Sequence, residues 1–268
     1  MWRDDPPDLR PGDGAEIVRH AAQADLALVY LHGFTATKWE IDPVHRRVAE
    51  RLGANLVLTR LAGHGQDGAA LARVRSEDWL GDLDAALALA RTLGRRTVLI
   101  GTSTGGLLAA MAAARGEDLA GVVLLSPNFA LNRRYGWLLR LPGIFRWGPR
   151  VLGRTRRIAS LNPEHEAHWT LRYPTAALRP LVGLMRRPVP LGAARIPALF
   201  LWSDADRVIS PRAVRRAAAL WGGPVTLRPL VPVPGDDPMH HIPAGDILSP
   251  GGTQALTEII ADWIAALP

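Results

Sequence analysis

Cysteine is missing from all 268 residues, which removes disulfides, thiol nucleophiles and cysteine-based metal sites without fixing the compartment. Long apolar runs are missing too. No stretch reaches about 18 consecutive apolar residues, so a membrane-spanning helix is excluded on length. Residues 1–11 are acidic and proline-rich and lack the basic-then-apolar order of a secretory signal, which makes the cytoplasm the expected location. Lysine is almost absent: Lys38 stands alone, and the rest of the 32 basic residues are arginine. In a chain rich in alanine and glycine, that bias reflects coding composition as much as selected function.

The net charge of +7 is unevenly placed. Between Pro127 and Pro190, 12 arginines stand against Glu164 and Glu166, a balance of +10, and the rest of the chain is therefore about −3. No nucleic-acid recognition motif accompanies this charge, so no nucleic-acid partner is expected.

With 48% hydrophobic residues, the chain can fold as one large α/β domain carrying a small insertion. Short apolar runs alternate with helical patterns, the signature of a mostly parallel sheet flanked by helices. Strands are expected at 26–31, 55–59, 97–100, 121–125, 198–202 and 225–230, with a further edge strand at 16–19. Helices are expected at 78–93, with Trp79, Leu83, Leu87 and Ala90 inward and Asp78, Asp82 and Arg91 elsewhere, at 211–221 behind the N-cap Ser210, and at 253–267. Residues 127–190 break the rhythm. They are rich in arginine and tryptophan, and 135–152 reads as a short amphipathic helix pair around Pro142-Gly143. The expected organisation is a core of 1–126 and 191–268, with 127–190 as an inserted helical cap over the strand ends, where open α/β sheets bind ligands.

Chemistry enters at Gly101-Thr102-Ser103-Thr104-Gly105. An apolar β-branched run leads in and a helical Ala/Leu/Met pattern leads out, so the serine sits on a sharp strand-to-helix turn that presents its Oγ. The glycines on either side keep that turn free of clashes. A serine hydroxyl needs a base, and the base needs an orienting carboxylate. After the strand at 198–202, Asp206 is the expected acid, with Asp204 as the alternative. After the strand at 225–230, His241 is the expected base, with His240 as the alternative. Strand 26–31 ends in His32-Gly33-Phe34-Thr35, so the backbone N–H groups of Phe34 and Thr104 are the expected oxyanion donors. Losing one such donor costs about 3–4 kcal/mol in the transition state. His32 reads as a loop brace.

Taken with Gly63-His64-Gly65, these motifs resemble the α/β-hydrolase superfamily, and most of all its capped branch of monoacylglycerol lipases and bacterial carboxylesterases. The resemblance runs from about residue 26 to 267. It implies an α/β-hydrolase fold and a Ser103–His241–Asp206 triad that cleaves carboxylic esters through an acyl-enzyme. It also implies a small ester or lipid-like substrate, no cofactor and no metal, with His64 in a structural turn. Phe34, Trp137, Leu138 and Phe145 are the expected pocket residues. Thr104 departs from the pattern, since relatives often carry a bulky methionine or glutamine there. The same triad also serves thioesterases, carbon–carbon bond hydrolases and acyltransferases. A non-catalytic small-molecule receptor is the reading from another class.

Two signals carry less. Residues 164–168, Glu-His-Glu-Ala-His, miss the His-Glu-x-x-His spacing and read as a solvated turn rather than a metal site. The arginine and aromatic residues of 133–157 suit an amphipathic lid; the alternative is peripheral contact with an anionic membrane surface.

Overall fold

The computed structural model describes residues 5–132, 136, 141, 143–151 and 153–268. Its centre is a seven-stranded sheet. In chain order the strands are β1 (Glu16–Val18), β2 (Ala24–Leu31), β3 (Asn55–Leu58), β4 (Gly94–Thr102) and β5 (Gly121–Leu125), followed after residues 126–197 by β8 (Ala198–Ser203) and β9 (Val225–Leu230). Their spatial order is β1-β3-β2-β4-β5-β8-β9. Only β1 runs antiparallel to its neighbour; the others pair in parallel, with Val29 beside Leu99 and Val57, and Leu124 beside Phe200.

A parallel sheet buried on both faces needs strands that are apolar throughout, and β2 shows how alternation then sorts the residues. Ala27, Val29 and Leu31 join the core beneath α3 (Ser76–Leu93) and α4 (Thr104–Ala114). Leu26, Leu28 and Tyr30 join the core beneath α1 (Val44–Leu52) and α9 (Thr253–Ala265). The strands and helices expected outside 127–190 are present, most extended or trimmed by one to three residues, the helix expected at 211–221 being α8 (Pro211–Leu220). Asp82 differs from expectation: it is buried, because its carboxylate accepts the Ala62 N–H at 2.6 Å. Helices α1 and α2 (Gly68–Arg73) add to those expected.

The 127–190 segment is not purely helical. It contains α5 (Ile144–Val151), α6 (Pro163–His168) and α7 (Leu178–Met185), but also an antiparallel ribbon of β6 (Thr155–Arg157) and β7 (Arg172–Pro174). The first half of the expected helix pair falls mostly outside the described residues; α5 is its second half. Residues 164–168 are not a solvated turn. They form α6, capped by Asn162, with His165 buried and His168 Nδ1 2.6 Å from the buried Asp13 carboxylate. The segment is tied to the chain beyond the strand ends at two points. Ser210 N–H donates to Ala130 O at 2.8 Å, and Thr170 N–H to Thr35 O at 2.8 Å.

Candidate active site

Strands β4, β8 and β9 are parallel, so the chain beyond each carboxyl end lies on one edge of the sheet. Ser103 follows β4, the segment of Asp206 follows β8, and the loop of His241 follows β9. Ser103 adopts φ 53°, ψ −110°, a conformation that a non-glycine residue holds only under constraint. Backbone contacts supply the constraint. Ser103 N–H donates to Leu125 O at 2.9 Å, and Ser103 O accepts from Leu107 and Asn128. The flanking glycines are obligatory on distance. A Cβ on Gly101 would lie 2.4 Å from Gly105 O, and one on Gly105 would lie 1.9 Å from Leu31 O.

Asp206 is folded into its own turn. One carboxylate oxygen accepts Val208 N–H at 2.7 Å and Ile209 N–H at 2.9 Å, while the other lies 2.8 Å from His241 Nδ1. With Nδ1–H donating to Asp206, Nε2 is left as the free acceptor of a proton. Burial pulls the imidazole down, but the charge and hydrogen bond of Asp206, with Asp237 and Glu40 beyond, outweigh it and hold His241 above its ordinary 6.5. The alternatives sit elsewhere. Asp204 is exposed and is held by Trp202 Nε1 at 2.7 Å and by Arg215. His240 is half-buried and takes φ 52°, facing a cleft that it lines with Leu230, Val233 and Leu256.

Sequence reasoning missed Asp237, which accepts the N–H groups of Met239, His241 and Ile242 and so fixes the loop that carries the imidazole. An aspartate just before the histidine pair is a turn-forming signal that could have found it. It also missed Glu40, a buried carboxyl beside Gly33.

On the β2 side, His32 is wholly buried. Nδ1 donates to Gly33 O at 2.9 Å, and Nε2 accepts Leu61 N–H at 3.1 Å, which braces two strand ends together. Burial lowers its pKa to about 4, so it stays neutral. His64 packs edge-on against it at 4.8 Å, held by Leu61 O and Ala62 O. The Phe34 and Thr104 N–H groups make no hydrogen bond among the described residues. Phe34 packs its ring against Tyr173 at 5.4 Å, against His64 at 6.1 Å and against Trp79 at 6.2 Å. Phe145 packs against Arg179, within residues 127–190. Trp137 and Leu138, the other expected pocket residues, lie outside the described residues.

Residues 28–246 match the model of the alpha/beta hydrolase family, and the chain belongs to that family. Sequence comparison with curated proteins gives no match. Among solved structures, a metagenome-derived lipolytic enzyme of the LipS and LipT pair is similar at 19% identity and TM-score 0.78, with 96% of this chain and 99% of that one covered. A monoacylglycerol lipase of Paleococcus ferrophilus is similar at 18% identity and TM-score 0.64, covering 94% and 98%. Est1E of Butyrivibrio proteoclasticus, solved with ferulic acid bound, is similar at 19% identity and TM-score 0.59, covering 94% and 95%. At such identities the likeness is one of fold.

Proposed function

We propose that this protein hydrolyses carboxylic esters, as a carboxylesterase or monoacylglycerol-type lipase, through Ser103, His241 and Asp206. The observation that carries the reading is the 2.8 Å His241–Asp206 hydrogen bond on the same sheet edge as a serine held at positive φ. Ser103 Oγ attacks the ester carbonyl as His241 Nε2 takes its proton. Asp206 stabilises the imidazolium, which then passes the proton to the departing alcohol. The Phe34 and Thr104 N–H groups stabilise the tetrahedral oxyanion, and water, activated by the same histidine, releases the acid.

Residues 127–190 act as a lid in this reading, and their aromatic and aliphatic side chains receive the acyl or alcohol part of a small ester or lipid-like substrate. The lipolytic enzymes and esterases among the similar structures support the substrate class. The test is a fluorophosphonate probe, which should label the protein once. Ser103→Ala should abolish labelling and lower kcat on p-nitrophenyl esters by about 10⁴-fold or more, without unfolding the protein. Persistent labelling of that variant would overturn the reading. If acyl thioesters turn over and graded simple esters do not, the reaction class would change while the triad stayed.

A further inference from the structure

Glu40 lies in the turn between β2 and α1 and is 2% exposed. Its Oε2 accepts Gly33 N–H at 2.7 Å and Tyr30 O–H at 2.8 Å. The Tyr30 oxygen is also 3.2 Å from Thr102 Oγ1, one residue before the serine. The other carboxyl oxygen, Oε1, has no hydrogen bond among the described residues. A Cβ placed on Gly33 would lie 2.5 Å from this Oε1 and 3.3 Å from Ser103 Cβ, so the carboxyl and the serine flank one point. From the opposite side, the chain after His241 closes over the same turn. A Cβ on Gly245 would lie 2.7 Å from Glu40 O, and Asp246 N–H donates to Asp42 O at 2.8 Å. Glu40 is thus wedged where the nucleophile turn, the oxyanion loop and the histidine loop meet.

A neutral amide could accept from Gly33 and Tyr30 equally well. What the amide lacks is charge, and the charged group that acts on Glu40 is His241, each raising the stability of the other's ionised form. The nearby cations Lys38 and Arg46 are paired with Glu16 instead. The groups facing the pair are Tyr30 from β2, with Asp42 acting on its hydroxyl, and Asp206 and Asp237 on the histidine side.

We infer that Glu40 is a positioning residue acting through His241, a second carboxylate that stabilises the imidazolium formed as Ser103 attacks. Burial is the largest influence on its own carboxyl and lifts it to about 7, against the pull of the Gly33 and Tyr30 hydrogen bonds and the His241 charge. The added stabilisation therefore grows as pH rises through neutrality, where Glu40 becomes charged. The inference rests on the catalytic reading above.

The test is kcat/KM against pH for the wild type, Glu40→Gln and Tyr30→Phe, with the His241 titration followed by NMR in ¹⁵N-histidine-labelled protein. Glu40→Gln should lower the plateau by about tenfold. It should also move both the acid limb and the His241 midpoint to lower pH. Tyr30→Phe removes a donor that favours the Glu40 carboxylate, so it should reproduce part of that shift; this second variant serves if Glu40→Gln does not fold. A Glu40→Gln enzyme slowed but with both midpoints unmoved would overturn the inference, leaving Glu40 as a brace for Gly33. Failure of the catalytic reading looks different: His241→Asn would keep its turnover.

Discussion

Strand β2 is buried along nearly all of its length, whereas β6 is exposed at every residue. The contrast extends to the regions that hold them. Around Ser103, geometry is enforced by backbone against backbone: glycines with no room for a methyl, and amide groups bonded across strand ends. In residues 127–190 backbone bonds are joined by contacts between side chains near the surface, as where the Arg179 guanidinium lies 5.9 Å from the Phe145 ring. Backbone contacts cannot yield when crowded, while side-chain contacts can rearrange. Change should therefore be costly in the first region and graded in the second.

Glycine offers the sharpest way to break that comparison. A methyl on Gly105 meets Leu31 O at 1.9 Å, and neither the sheet nor α4 can move away without unpairing strands. Gly105→Ala should cost more than about 4 kcal/mol and give little soluble folded protein. Gly153, just before β6, has φ +85° and nothing nearer its missing Cβ than Thr155 O at 3.8 Å. Gly153→Ala should cost only about 1–2 kcal/mol, the conformational penalty alone. Urea unfolding measures both. Equal losses would mean that the elbow relaxes, and that crowding does not hold the serine in place.

The two aspartates after β8 bring the comparison down to two residues. Asp206 is buried and has the His241 ring and two backbone amides as donors, whereas Asp204 is more than half exposed in an ion pair with Arg215. Under the proposed mechanism, Asp206→Asn should lower kcat by about 10³–10⁴-fold, because a neutral amide neither stabilises the imidazolium nor fixes its tautomer. Asp204→Asn should change kcat less than about threefold, an exposed ion pair being worth only about 0–1 kcal/mol. Steady-state kinetics on one p-nitrophenyl ester decides. A comparable loss at both positions would detach catalysis from the His241–Asp206 bond.

The same division explains what could be read from the sequence. Strands β2, β4, β5 and β8 were legible because doubly covered strands must be apolar end to end and stop at turn residues. The elbow was legible because its glycines and serine are adjacent in sequence. Spacing alone left Asp206 and Asp204, and His241 and His240, as pairs; the contacts of Val208 and Ile209 with Asp206, and of Asp237 with the His241 amide, are ones that no local pattern displays. Asp82 was misplaced for a related reason. Helical spacing sets it off the face of Trp79, Leu83, Leu87 and Ala90, but the Ala62 N–H that holds it belongs to a loop 20 residues away. The β6–β7 ribbon was illegible because Thr155, Arg156 and Arg157 show no alternation of apolar and polar residues, and the pairing buries none of them. Glu40 had no motif to announce it. Its importance comes from Gly33 and Tyr30, which fold back around it.

The smallest expected effect tests residues 127–190 on their own terms. Arg179, in α7, places its guanidinium over the Phe145 ring and donates to Phe145 O at 3.3 Å, linking α7 to α5. Both interactions are near the surface, where a cation–π contact is worth about 0.5–1 kcal/mol. Arg179→Ala should therefore lower stability by about that amount. If 127–190 is a lid, loosening α5 should alter how substrate is held rather than how the ester bond is cleaved. KM for a longer-chain ester should rise by about two- to fivefold, KM for a short one should stay within error, and kcat should hold for both. A matching fall in kcat on the short ester would instead tie Arg179 to the chemistry at Ser103. That outcome would erase the distinction between a rigid site and an adjustable cover.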